Sequence, residues 1–182
     1  MSTPTLTEAK ERAAAIRKQQ SDLLASLPLY ALYIGLWIRS DPPRPNDFHW
    51  GFYLHTSTTS GIKYHVSSLT GGWIPEHGPN SVLKSNFFCV LIQIASVPET
   101  SLAQLDLIMR LHDGDVNGIP GVTCRVWLMM ILEKLVQSGI VRYGTLQALE
   151  DECMDFGNEH SASAAVNDQP RPVVKSGVCL WN

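Results

Sequence analysis

The sequence has no long apolar run and no long basic block. Its apolar stretches, such as residues 29–38, are far shorter than the roughly 20 residues that cross a bilayer. The 14 Lys and Arg residues are outnumbered by 17 Asp and Glu residues, which gives a net charge of −3, and no segment could neutralise several phosphates. We therefore expect neither stable membrane insertion nor a nucleic acid partner.

Closely spaced cysteines are also missing. No two of the four cysteines form a Cys-x-x-Cys pair, so neither a zinc ribbon nor a disulfide scaffold is indicated, and at least one thiol is free to react. The first ten residues are polar and charged and lack the apolar core of a secretory signal. We expect a soluble, cytoplasmic protein. The cysteines are Cys89, Cys124, Cys153 and Cys179.

The 182 residues, of which 45% are hydrophobic, are enough for one domain with a buried core. Thr5 and Glu8 match a capping box, which predicts a peripheral N-terminal helix within residues 1–27. Residues 28–157 would form the main domain. Residues 158–182 have too little apolar content to fold alone, and we expect a disordered tail there.

Three segments are rich in aromatic and β-branched side chains, namely residues 29–38, 49–56 and 62–69. A short polar link joins the second to the third, which predicts a β-hairpin. Residues 87–95 form a continuous apolar run, typical of a buried central strand. Together these segments predict an antiparallel sheet.

Apolar side chains recur every 3.6 residues from Thr123 to Gly139, which predicts a central helix with Gly139 at its C-cap. Ser101 and Gln104 resemble a second capping box before a short helix. Residues 145–154 predict another short helix. The sequence therefore predicts an α+β fold whose antiparallel sheet packs on the central helix.

Cys124 lies in the first turn of this central helix. The thiolate is the nucleophilic form of cysteine, and the partial positive charge at a helix N-terminus lowers the pKa of a thiol there. Trp127, Leu128 and Ile131 follow at helical spacing, so the thiol shares the face that packs inward. We expect Cys124 to point toward the sheet.

A nucleophilic cysteine needs a base, and imidazole suits this role near neutral pH. The predicted hairpin offers His49 and His65. On a strand, His49 and Gly51 share one face, and glycine leaves room for a helix end or a substrate. We therefore expect Cys124, His49 and His65 to form one catalytic site.

Three motifs follow one another along the chain: His49-Trp50-Gly51-Phe52-Tyr53-Leu54, Tyr64-His65-Val66, and Cys124 opening an apolar helix. Together they resemble the lecithin retinol acyltransferase-like family, a circularly permuted branch of the papain-like superfamily. The resemblance covers residues 29–139, and residues 32–36 are also similar to uncharacterised fungal proteins of the same layout. It implies a permuted papain-like fold with an antiparallel sheet packed on the cysteine helix.

The resemblance also implies a role for each site residue. His49 would be the base, His65 would orient it and Cys124 would be the nucleophile. The implied activity is that of a cysteine-dependent acyl hydrolase or acyltransferase, acting on an ester, thioester or amide of a small molecule through a thioacyl intermediate. By analogy with the fungal proteins, we expect a place in metabolite biosynthesis, with no cofactor or metal.

Aromatic side chains near the predicted site are candidates for substrate binding. The Cys124 backbone N–H would stabilise the oxyanion, and Tyr33 or Trp50 would supply a second donor. The candidate substrate-binding residues are Trp50, Tyr53, Trp127 and Tyr33.

An alternative hypothesis is a non-catalytic module that keeps this fold and binds a ligand or a protein partner in an aromatic cleft. The cleft would be lined by Trp50, Tyr53, Trp73 and Trp127. The related family usually has Asn-Cys-Glu-His around its nucleophile, whereas this chain has Thr123-Cys124-Arg125-Val126. The difference favours the module.

Two metal-binding interpretations are weaker. Residues 113–118 imitate the first half of a calcium loop, but Cys124 stands at the twelfth position, where such loops need a glutamate, so we expect a turn. Four histidines and a cysteine could hold zinc, but their spacings are irregular. These histidines are His49, His55, His65 and His77.

Overall fold

The structure is a computed structural model that describes residues 5–68 and 71–181. The strands are β1 (Ala31–Ile38), β2 (Phe48–Ser57), β3 (Ser60–Tyr64), β4 (Val66–Ser67), β5 (Ile74–Pro75), β6 (Gly78–Asn80), β7 (Phe88–Ser96) and β8 (Val173–Lys175). The helices are α1 (Leu6–Ser26), α2 (Leu102–Met109), α3 (Cys124–Gln137) and α4 (Leu146–Ala165). The fold is α+β, as the sequence predicts.

Six strands form one sheet in the order β6-β3-β2-β1-β7-β8. All neighbouring pairs are antiparallel except β7 and β8, which are parallel. Strands β4 and β5 pair separately. Strand β1 lies near the middle and is buried along its whole length, because helices cover the sheet on both sides. This confirms the mostly antiparallel sheet.

Side chains of β2 alternate between two core layers. On what we call the α3 face, Trp50 and Phe52 pack with helices α2, α3 and α4. On the opposite α1 face, Tyr53 packs with Leu24 and other residues at the C-terminal end of α1. The two layers therefore enclose this strand from both sides.

Helix α3 begins as the sequence predicts. The Thr123 hydroxyl accepts a hydrogen bond from the backbone N–H of Val126, so Thr123 is the N-cap and Cys124 the first helical residue. The Trp127 ring meets Phe52 edge-on, with ring centroids 6.0 Å apart. Gly139 follows the helix with φ of +78°, a conformation that favours glycine.

Helix α1 is peripheral. Thr5 and Glu8 form the predicted capping box, but only Gln20 and Leu24 of this 21-residue helix are buried. The predicted capping box at Ser101 is wrong, because its side chain makes no capping hydrogen bond and a short 3-10 turn precedes α2.

The predicted hairpin is present, but its second strand is shorter than expected. Strand β3 ends at Tyr64, and the chain then turns away to form the small β4–β5 sheet. The last residue of the predicted strand, Leu69, lies outside the described residues. The early departure of β3 leaves the first part of β2 without a partner on that side.

The expectation of a disordered tail from residue 158 is wrong. Helix α4 continues without a break to Ala165, and β8 joins the sheet beside β7. The Arg171 side chain is buried and donates hydrogen bonds to the backbone oxygens of Cys89 and Asp168 at 2.8 and 2.9 Å. The hydrogen bonds from this buried guanidinium to backbone carbonyls hold the C-terminal segment in place, although the segment has few apolar side chains.

Replacing Arg171 by Met should therefore destabilise the protein by about 3 kcal/mol, since hydrogen bonds from a charged donor are strong and the carbonyls would be left unpaired. Urea unfolding measures this. The exposed Arg44 offers the control Arg44→Met, which should change the free energy of unfolding little. Equal stability of both variants would contradict an anchoring role for Arg171.

Candidate functional site

Two of the predicted site residues lie together on the α1 face. His49 Nε2 and His65 Nδ1 are 2.9 Å apart, a hydrogen-bond distance, and the two rings are almost perpendicular. A Cβ on Gly51 would lie 3.1 Å from the Cβ of His65 and 3.2 Å from the Tyr64 oxygen. The space that Gly51 provides is thus occupied by His65, not by a helix end or a substrate.

Glu76 extends this pair. One carboxylate oxygen, Oε2, lies 3.7 Å from His65 Nε2, on the side of the ring away from His49. The Glu76 backbone N–H donates to the His65 oxygen at 2.9 Å. No sequence pattern points to Glu76, because this residue lies in a loop that has no motif and is positioned by the β4–β5 pairing.

His77 holds the backbone of His65. The His65 N–H donates to His77 Nδ1 at 3.2 Å, so the proton of the neutral His77 ring is on Nε2. That nitrogen donates to Asp113 Oδ1 at 3.0 Å. The His77 side chain is only 2% exposed, and its ring lies between those of Tyr64 and Trp127. This arrangement fixes where β3 leaves the sheet.

Both paired imidazoles have lowered pKa values in the folded protein. Burial, with a smaller contribution from the charges of Lys63 and Arg39, lowers the pKa of His49 to about 4. Burial, with Lys63 and both neighbouring histidines, lowers the pKa of His65 to about 3. At neutral pH the pair is therefore uncharged, and any acid–base role begins from neutral imidazole.

Lys63 lies on the same face. Its Nζ is 4.0 Å from the centre of the Trp37 ring, and Trp37 is in turn the cross-strand partner of His49. Burial lowers the pKa of Lys63 to about 8, against the opposing effects of Glu76 and Cys124. The amine is therefore mostly protonated at pH 7 and acts as a cation beside the imidazoles.

Cys124 approaches β2 from α3. Its side chain is nearly inaccessible, with 3% of the residue exposed, and its thiol donates a long contact of 4.0 Å to the Phe48 carbonyl. In a strand, successive carbonyls point to opposite edges. The His55 carbonyl accepts a hydrogen bond from the Tyr30 N–H on the β1 side. Phe48 and His55 are separated by an odd number of positions along β2, so the Phe48 carbonyl points to the opposite edge, toward β3.

That edge is uncovered at Phe48. Strand β3 pairs with β2 from Phe52 to Ser57 only, while β1 covers the other edge of β2 from Phe48 to Leu54. The thiol therefore lies at the gap that β3 leaves when it departs. Cys124 and the peptide that carries His49 are neighbours in this gap.

The structure does not bring the thiol into contact with the imidazoles. Within the described part of the chain, Cys124 makes no hydrogen bond to a histidine, because α3 packs on the face that carries Trp50, whereas His49 projects from the other face. The sequence predicted one shared face for thiol and imidazole. Helical and strand periodicity define the faces of each element but not which faces meet.

The four predicted substrate-binding residues are core residues. Each is at most 1% exposed. Trp50 and Trp127 belong to the α3 face, whereas Tyr33 and Tyr53 belong to the α1 face. They line no common cleft, and the prediction that they bind substrate is corrected: their aromatic surface is used for packing.

An open cleft lies elsewhere, beside the histidine pair. We call it the Lys63 cleft; its volume is about 420 Å³. Sequence reasoning did not identify it, because β6 and the loop before it lack a recognisable motif. Its lining residues are Lys63, His65, Glu76, His77, Gly78, Pro79 and Asn80.

The side chains of the two proposed metal sites have other partners among the described residues. Asp113 pairs with His77 and Arg110, and the His55 ring is buried against the Tyr53 hydroxyl at 3.2 Å. Across residues 5–68 and 71–181, no group of three or more His, Cys, Asp or Glu side chains is arranged to hold a metal ion.

Comparison with models of protein families gives a match. Residues 36–142 match the model of DUF6540, described as a family of unknown function. The chain belongs to this family. The DUF6540 region extends from β1 to just beyond α3, so it includes Cys124, the histidine pair and the Lys63 cleft, and it leaves out α1, α4 and β8.

No curated protein and no solved structure matches the chain significantly. In the part of the chain that the structure describes, no helix combines the length and apolar character needed to cross a membrane. Membership of DUF6540 therefore indicates no particular activity, and the geometry of the site is the basis for a functional proposal.

The lowered pKa values of His49 and His65 predict how stability depends on pH. Unfolded histidine titrates near 6.5, so the unfolded state binds more protons than the folded state between pH 6.5 and about 4. Stability should be full above pH 6.5 and fall through this window. Urea unfolding between pH 7 and pH 4.5 measures the slope.

The variant His49→Gln should show a shallower decline, because one of the rings whose pKa is lowered by folding is removed. His160→Gln, on α4, is the control and should retain the slope of the natural protein. A His49→Gln protein as pH-sensitive as the control would contradict the burial of a neutral pair.

Proposed function

We propose that this DUF6540 protein is a cysteine-dependent acyl hydrolase or acyltransferase with a permuted papain-like arrangement. It would act on an ester, thioester or amide of a small molecule. One observation carries the proposal: a first-turn cysteine lies at the uncovered edge of β2, against the carbonyl that directly precedes His49. The gap is therefore bordered by the N-terminus of α3 with the Cys124 thiol and by β2, the strand that carries His49.

The contacts around His65 favour one tautomer of the pair. The Glu76 carboxylate near His65 Nε2 favours a proton on that nitrogen. His65 Nδ1 is then the acceptor in its hydrogen bond with His49, and His49 Nε2 is the donor. This leaves the lone pair of His49 Nδ1 free to accept a proton, so His49 is the base, His65 orients it and Glu76 supports His65.

The reaction would begin when the Cys124 thiol leaves the Phe48 carbonyl and rotates into the gap. The thiol proton passes to His49 Nδ1, and the sulfur attacks the substrate carbonyl carbon. The oxyanion is stabilised by the Cys124 N–H, which has no acceptor within the helix because it belongs to the first helical residue.

Collapse of the tetrahedral intermediate breaks the bond to the leaving group, which takes the proton from His49. A thioacyl enzyme remains. Water or an amine then attacks the thioester, gives its proton to His49 and releases the acid or the amide. The returning proton restores the Cys124 thiol, so each turnover is a balanced hydrolysis or acyl transfer.

A second candidate is a non-catalytic binding module with the same fold. The near-complete burial of Cys124 favours it, and so do the low pKa values of both imidazoles, which oppose a thiolate–imidazolium ion pair. In this case the Lys63 cleft, not an aromatic cleft, would hold the ligand.

Thiol alkylation separates the two candidates. The account predicts that iodoacetamide labels Cys124 in the native protein faster than it labels free cysteine at pH 7, and that His49→Gln slows labelling at least about tenfold, since a positioned base contributes that much or more. Mass spectrometry of tryptic peptides identifies the labelled thiol, with Cys124→Ala as the blank.

His160→Gln is the control and should label at the rate of the natural protein. Labelling of Cys124 no faster than free cysteine, or at equal rates in both histidine variants, would contradict acyl chemistry at Cys124 and leave the binding module.

A further inference from the structure

Lys63 is a half-buried cation whose ammonium group forms no close ion pair with any of the described residues. Among these residues it makes no hydrogen bond and no ion pair within 4.0 Å; its Nζ lies over the face of the Trp37 ring, and the charge of Glu76 favours its protonated form. An aromatic face attracts a cation but accepts none of its three N–H groups in the way an oxygen does. The Lys63 ammonium is thus available to an acceptor from outside the chain.

The position of Lys63 is fixed by the sheet. It is the cross-strand neighbour of Tyr53 on β2 and of Gly78 on β6, so its side chain stands on the α1 face. Its stem lies on Trp37, which has little freedom because its ring packs over Gly35 and against Phe88. An anion bound by this ammonium would meet a preorganised group.

The Lys63 cleft also contains a negative charge. The Glu76 carboxylate lies nearest to His65 Nε2, at 3.7 Å, and forms no ion pair with Lys63 within 4.0 Å. A ligand with a single negative charge can pair with Lys63, whereas a phosphate dianion would be repelled more strongly by Glu76. The chemistry of the cleft therefore favours a carboxylate.

The same ammonium lies beside the histidine pair. Lys63 precedes His65 by two residues on one face of the sheet, and both side chains line the Lys63 cleft. A small molecule whose carboxylate contacts Lys63 would therefore lie next to the imidazole that orients the proposed base.

We propose that Lys63 is a specificity-determining residue that binds the carboxylate of the substrate, so that the acyl substrates of this protein are small carboxylate-bearing molecules. This inference rests on the proposed function for the reaction, but the carboxylate site itself can be tested by binding alone.

Butyrate and butyramide are suitable probes, because they share a carbon chain and differ in charge. With 15N-histidine-labelled protein at pH 7, butyrate should shift the ring signals of His65, and butyramide should do so only at concentrations about tenfold higher or more. Lys63→Gln should weaken butyrate binding by about tenfold or more, and Lys63→Arg, which keeps the charge, should retain most of it.

Lys175→Gln is a matched control, because the Lys175 ammonium also lies over a tryptophan ring, at 3.9 Å from Trp181. It should bind butyrate as the natural protein does. Equal binding of butyrate and butyramide, unchanged binding in Lys63→Gln, or tighter binding of inorganic phosphate than of butyrate would overturn the inference.

The binding experiment distinguishes failure of the carboxylate site from failure of the proposed acyl chemistry. Because the binding experiment needs no reactive thiol, it can be repeated on Cys124→Ala. Charge-selective binding that depends on Lys63, together with an unreactive Cys124, would establish the carboxylate site in a non-catalytic protein. A reactive Cys124 without charge selectivity would retain the enzyme and reject Lys63 as its specificity residue.

Discussion

Burial of β2 on both faces is the constraint on which the candidate site depends. Helix α3 packs on the face with Trp50 and Phe52, while the end of α1 and the residues around it cover the face with Tyr53. Because strand side chains alternate, this double cover assigns the thiol to one side and the histidine pair to the other. The two sides come closest to one another at the part of the β2 edge that does not pair with β3, where the Cys124 thiol contacts the Phe48 carbonyl.

The same constraint explains which features the sequence could predict. Local patterns identified the capping box of α1, the start of α3 at Cys124 and the hairpin, because each depends on residues close in sequence. The partnership of His49 with His65 was also predictable, since diagonal neighbours on one hairpin face must meet. The sequence did not predict which face of α3 packs on which face of β2. The prediction therefore placed Cys124 on the same side of β2 as His49, whereas it lies on the opposite side.

Other features had no local signal. Glu76 reaches His65 only because β4 pairs with β5, two strands of two residues each. Arg171 anchors the C-terminal segment to the backbone carbonyl of Cys89, which is distant in sequence, whereas the composition of this segment, poor in apolar residues, suggested disorder. Long-range polar contacts of this kind depend on the folded backbone and are not visible in hydrophobic periodicity.

The central claim is that thiol and imidazole pair belong to one site despite lying on different faces. Its most direct test is the 15N spectrum of the histidine rings before and after Cys124 of the native, folded protein is modified with iodoacetamide at pH 7. The account predicts that modification shifts the His49 and His65 ring signals and leaves His160 unchanged. Unmoved His49 and His65 signals in a fully modified, folded protein would contradict it.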